Sequence, residues 1–247
     1  MTAITPTIDL ADAILREWTD QPDIIAAFLA GSVARGTAGP GSDIDAVLIY
    51  HHLPAAVRET HDRQGVAVEL FLHDPDTLAY FWDADRRLGK PSLARMVANG
   101  LPIAGDPALI EELKRQAQSV LDGGPPLLTE EELRTRRYSI SDLAADLAQP
   151  RNAAEQLAIG ARLYIELADF TVRAAGAWTG TGKGLAKALL RLDPMLAATF
   201  EHAFKELFAQ QDAGEVLALV DLCLAPYGGR FMAGDRRPAP ADWRLGD

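Results

Sequence analysis

The chain has 247 residues, 48% of them hydrophobic and 24% charged, with a formal net charge of −11 at neutral pH. This is the composition of an ordinary globular protein long enough for two modest domains, and it excludes a disordered or fibrous chain. So acidic a surface repels polyphosphate chains and argues against nucleic acid as a partner.

The single cysteine, Cys223, excludes an internal disulfide or a thiolate zinc cluster, and its apolar context predicts a buried small hydrophobe. The first residues lack the basic-then-apolar pattern of a leader. No stretch approaches the ~18 continuous apolar residues of a membrane span, so a cytoplasmic location without membrane contact is expected.

In chain order, residues 8 to 19 place Ile8, Ala11, Ile14, Leu15 and Trp18 on one helical stripe, and "DIIAAFLA" (23 to 30) reads as a buried strand ending at Gly31-Ser32. A short helix is expected at Val33 to Gly36. "DIDAVLIY" (43 to 50) is the second strand, Pro54 to about Asp62 reads as polar helix, and "GVAVELFLHD" (65 to 74) is the third strand. Helical sequence follows Pro75 to about Asn99, then a short edge strand in "GLPIAGDP" and a helix from Pro107 to about Leu121.

The run "DGGPPLL" (122 to 128) is the best linker candidate. Beyond it only helices are predicted, near 130 to 148, 152 to 175, 183 to 210 with a break at Asp193-Pro194, and 213 to 225. Thr129 with Glu132 and Asn152 with Glu155 have capping-box spacing, and Asp193-Pro194 pairs a cap with a first-turn proline. The final stretch, from Tyr227 on, is too rich in Gly, Pro and Arg for regular structure. The expected fold class is α+β: a mixed β-sheet flanked by helices over residues 1–124, then a helical bundle over 125–247.

Alternation along a strand puts Asp43 and Asp45 on one face, roughly 7 Å apart, with Ile44 opposite. The following Ala46-Val47-Leu48-Ile49 is apolar on both faces, the mark of a strand covered on both sides. Two unpaired carboxylates at the mouth of such a strand repel each other and cost desolvation, which a divalent cation offsets; hard oxygens suit Mg²⁺. Glu69, whose neighbours Val68 and Leu70 face the opposite side, can bring a third acid from the next strand. Gly31-Ser32 is a small-residue turn of the kind whose N–H groups bind phosphate.

Ten residues separate Ser32 from Asp43. In order and spacing, Ala30-Gly31-Ser32 and Asp43-Ile44-Asp45-Ala46 resemble the motif of the nucleotidyltransferase superfamily of the DNA polymerase β fold, and Arg35-Gly36 and Ser42 match its fuller "GSxARGxxxxxSDxD" form. The resemblance spans about residues 24 to 74. It implies Mg²⁺ held by Asp43, Asp45 and Glu69, with Gly31, Ser32, Arg35 and Ser42 toward the nucleotide, and transfer of a nucleoside monophosphate from ATP or another NTP to a hydroxyl with release of pyrophosphate. Glu69 is also the first candidate for a general base.

The helical half more loosely resembles the substrate-binding bundle of aminoglycoside and lincosamide nucleotidyltransferases. That likeness implies a small-molecule hydroxyl acceptor, antibiotic resistance as the setting, and a phosphate contact from Lys183, with Trp178 available to stack on a ring; a homodimer is common among such enzymes. Lys183 with Lys187, and Asp142 with Asp146, also read as solvated helix faces. "GTGKG" fails as a P-loop, because Ala177 and Gly184 occupy positions where that motif needs Gly and Ser or Thr. The alternatives to small-molecule transfer are nucleotidylation of a protein, as in antitoxin-type members of the fold, and nucleotide binding without turnover.

Overall fold

A computed structural model describes residues 4–236. The chain divides into two compact units, Met1–Pro126 and Leu127–Asp247. The first is built on a five-stranded mixed sheet and the second is helical. The part of the irregular C-terminal stretch beyond residue 236 lies outside the described residues.

In the first unit, helix α1 (Ile8–Thr19) leads to β1 (Ile24–Leu29), the short α2 (Gly31–Ala34) and β2 (Ile44–Tyr50). Then come β3 (Val57–Arg63), β4 (Val66–His73), α3 (Pro75–Leu88), α4 (Ser92–Ala98), β5 (Leu101–Gly105) and α5 (Pro107–Asp122). The strand order is β3-β4-β2-β1-β5. β2 and β4 run parallel, and the other neighbours are antiparallel. Alternation along the strands separates two cores. Leu29, Ile44, Ala46, Leu48 and Leu70 meet Ala11, Ile14, Leu15 and Trp18 of α1 on one face. Phe28, Val47 and Ile49 meet α3, α4 and α5 through Leu78, Trp82, Ala94, Val97 and Leu113 on the other. β2 is thus covered on both sides, as its unbroken apolar run requires.

The segment read as polar helix from Pro54 to Asp62 is instead the edge strand β3, which pairs with β4 through the two-residue turn Gln64-Gly65. Both turn residues have positive φ, 58° and 77°, the backbone of a tight hairpin. Helical periodicity misled because β3 is polar on both sides and carries no alternating apolar signature. Its Arg63 pairs with Glu17 at 2.7 Å and lies over the Trp18 ring, 5.1 Å from the centroid. The predicted helix of residues 75 to 99 is likewise two helices, because Gly89 terminates α3 in the left-handed conformation at φ 71°.

The second unit comprises α6 (Glu130–Ala148), α7 (Ala153–Ala174), α8 (Lys183–Leu192), α9 (Pro194–Gln210), α10 (Gly214–Leu224) and a 3₁₀ turn (Ala225–Tyr227). Thr129 and Glu132 form a reciprocal capping box, Asn152 caps α7 through the Glu155 N–H, and the Asp193 carboxylate accepts from the N–H groups of Met195 and Leu196. One core joins these helices, with Phe170, Phe200, Leu147, Leu163 and Val220 fully buried. Cys223 belongs to it, and burial pushes its thiol pKa up. Among the described residues, no helix is long and apolar enough to cross a membrane.

Candidate active site

The site grows out of the register between β2 and β4. The two strands are parallel, and Asp45 stands directly beside Glu69, so both carboxylates leave the sheet on one face. Asp43, one residue before the start of β2, completes a group in which one oxygen from each of Asp43, Asp45 and Glu69 lies within 4.8 Å of the others, all three side chains half-buried. Three like charges this close raise one another's free energy, and a cation is what such a donor set accommodates. Carboxylate oxygens without nitrogen or sulfur donors fit a hard ion of the Mg²⁺ type.

β1 carries the other half of the site. The Ala30 N–H donates to the Asp45 carbonyl at 2.8 Å, which ties the end of β1 to the strand bearing the acids. Gly31 then turns the chain at φ 67°. A Cβ at this position would fall 1.9 Å from Asp45 Oδ2, so the backbone of the turn approaches the carboxylate more closely than any side chain permits. α2 begins here, and the N–H groups of its first turn have no partners within the helix.

Ser32 and Ser42 are half-buried and Arg35 is exposed. The Ser32 carbonyl accepts from the Thr37 N–H at 2.9 Å. Ser42 closes the Gly39–Ser42 turn, its hydroxyl accepting the Gly39 N–H at 2.9 Å, and so places Asp43 at the mouth of β2. Lys183 lies in the second unit as the first residue of α8 and is exposed; Lys187, Asp142 and Asp146 are exposed too, and Trp178 is half-buried.

One residue of the neighbourhood was missed from the sequence. Arg58 of β3 donates from Nη2 to Glu69 Oε2 at 2.7 Å, and its guanidinium lies 5.1 Å from the Phe71 ring centroid. Reading residues 54 to 62 as helix hid it. The signal that could have revealed it was the Gln64-Gly65 turn directly ahead of the apolar run of β4, which marks a hairpin whose first strand ends at Arg63.

Residues 10–99 match the family described as "Nucleotidyltransferase domain". No curated protein matches the chain. Among solved structures, it is similar to the crystal structure of a nucleotidyltransferase-like protein from Exiguobacterium sibiricum, at 15% identity and a TM-score of 0.43, over 87% of this chain and 73% of that one. Residues 10–99 of the first unit are thus similar to a nucleotidyltransferase domain, and the activity this likeness supports is nucleotidyl transfer in general.

Proposed function

We propose that the protein moves a nucleoside monophosphate, AMP from ATP in the first instance, to a hydroxyl of a small molecule such as an aminoglycoside-like antibiotic, with release of pyrophosphate. The observation that carries this reading is the convergence of Asp43, Asp45 and Glu69 beside the Gly31-Ser32 turn. Asp43 and Asp45 would hold Mg²⁺, with Glu69 as the third ligand or as the base that takes the hydroxyl proton. A bound divalent ion supplies charge neutralisation at the transferring phosphorus. The Gly31 and Ser32 amides and the Ser32 hydroxyl would offer donors to phosphate oxygens; Arg35, Ser42 and Lys183 are proposed as further contacts to the nucleotide, and the helical unit as the substrate-binding part.

The test incubates the protein with Mg²⁺, α-labelled NTPs and a panel of aminoglycosides, lincosamides and cell lysate, following pyrophosphate release and label transfer. Label on a small molecule supports the reading. Label appearing on protein alone, or turnover that survives Asp43→Asn with Asp45→Asn, overturns it.

A further inference from the structure

Beyond Glu69, the same face of β4 presents Phe71 and His73, roughly 7 and 13 Å further along the strand. There they line a cleft of about 440 Å³ with Phe81 and Asp85 of α3 and Met96 of α4, while Arg58 stands at its mouth. The volume and the largely apolar wall are those of a small-molecule pocket.

A residue of the cleft's wall holds a polar atom that is sealed from solvent and has no partner. His73 is 5% exposed, and its Nδ1 has no hydrogen bond. An orphaned buried nitrogen costs free energy that a bound partner recovers. Burial lowers the imidazole pKa, with the Asp74 charge opposing more weakly, so the site favours the neutral ring. Neutral imidazole offers a donor at one nitrogen and an acceptor at the other, and a hydroxyl can satisfy Nδ1 in either tautomer. Phe81 packs edge-on against the ring at 5.4 Å. Asp85 is already engaged in accepting the Leu93 N–H at 3.0 Å, and burial raises its pKa.

Sheet order decides which reactant the cleft suits. In-line displacement puts the attacking oxygen and the leaving pyrophosphate on opposite sides of the α-phosphorus. The Gly31-Ser32 turn follows β1, on one side of β2, whereas β4 and the cleft lie on the other. With phosphates toward the turn, the acceptor arrives from the β4 side.

On that geometry, and resting on the function proposed above, we propose that the cleft beside Phe71, His73, Phe81 and Met96 is the acceptor's anchoring subsite. It takes the apolar body of a neutral, hydroxyl-bearing molecule, with one hydroxyl against the His73 ring and another presented past Arg58 to the acidic cluster. The acceptor class this selects is amphipathic rather than polycationic, which keeps the small hydroxylated acceptor proposed above but narrows it away from the aminoglycoside example, since the cleft's one carboxylate is committed to backbone and Arg58 adds a cation to its lining.

The test reads binding separately from turnover. The full chain, with ¹⁵N-labelled histidine and without metal or nucleotide, is titrated with a panel of neutral aryl glycosides, with a polycationic aminoglycoside, and with ATP, following the His73 imidazole resonances. Expected are a shift of the His73 signal with aryl glycosides alone, an affinity about tenfold weaker in His73→Phe, and loss of binding in Met96→Trp, which fills the cleft and leaves His73 in place. Thermal melts confirm that both variants fold. No shift with any aryl glycoside, unchanged affinity in Met96→Trp, or a His73 shift produced by ATP instead, which would make this a nucleobase site, overturns the proposal. Failure of the function proposed above looks different: glycosides bind and respond to both variants, yet no label is transferred.

Discussion

The Cβ that any residue other than glycine would carry at position 31 falls 1.9 Å from Oδ2 of Asp45. Strand β1 thus ends against the carboxylate that β2 presents, and the turn and the acid share one space. Gly31→Ala must move one of them, and it also places a side chain at φ 67°, where L-residues are strained by roughly 1–2 kcal/mol. The expected outcome is a fall in nucleotidyl transfer of about 10²-fold or more with a lowered melting temperature. Label transfer and a thermal melt on the same preparation check it.

Asp43→Asn and Asp45→Asn should each reduce transfer by about 10³-fold or more, because each removes charge from the proposed metal site. Stability should move the other way. The three acids lie within 4.8 Å of one another, and without metal their mutual repulsion opposes folding. Asp43→Asn should therefore melt at or above the wild-type temperature in EDTA, and both variants should lack the rise in melting temperature expected of the wild type on adding Mg²⁺. A variant that melts well below wild type in EDTA would show that the carboxylate is structural.

Arg58 places a cation 2.7 Å from Glu69 Oε2. Its side chain is 62% exposed, so the pair contributes little stability, of the order of 0–1 kcal/mol. Removing it takes positive charge from beside the acidic cluster. Arg58→Ala should leave the melting temperature nearly unchanged and lower the Mn²⁺ concentration for half-saturation about two- to fivefold at low salt, with the difference shrinking as salt rises. Electron paramagnetic resonance of free Mn²⁺ provides the measurement.

Asp74 caps α3, its carboxylate accepting from Thr77 N–H at 2.8 Å and Leu53 N–H at 2.9 Å. These backbone hydrogen bonds lower its pKa from 3.8 to about 2. A folded-state pKa below the unfolded value makes the contribution complete above pH 4 and progressively lost as pH falls toward 2. Asp74→Asn abolishes the titration and cannot keep both acceptor bonds. The variant should melt lower than wild type at pH 7, and the gap should close between pH 4 and 2. A gap constant across that range would place the stabilisation elsewhere.

The acidic pair and the turn beside it were legible in residues 30 to 50 because they depend on local constraints. A glycine turn, a fixed interval and an alternating Asp-Ile-Asp at the head of a doubly apolar strand are short-range patterns, and backbone geometry leaves them few alternatives. The caps at Thr129, Asn152 and Asp193 were readable for the same reason. Glu69 could be named as a third acid, but its place beside Asp45 is a property of the parallel β2–β4 register, which couples residues 24 positions apart.

What only the tertiary structure decided was what the neighbouring strands bring. β3 is polar on both faces, so its own periodicity could not separate strand from helix; pairing with β4 made it an edge strand and put Arg58 on Glu69. His73 ends a run that any strand would accept, and its burial against Phe81 arises only once α3 packs on the sheet. By itself the sequence determined which side chains could hold a metal and where the chain must turn. Long-range strand pairing decided which cation opposes them and what cleft lies beside them, because those contacts are set by packing between segments with no local pattern in common.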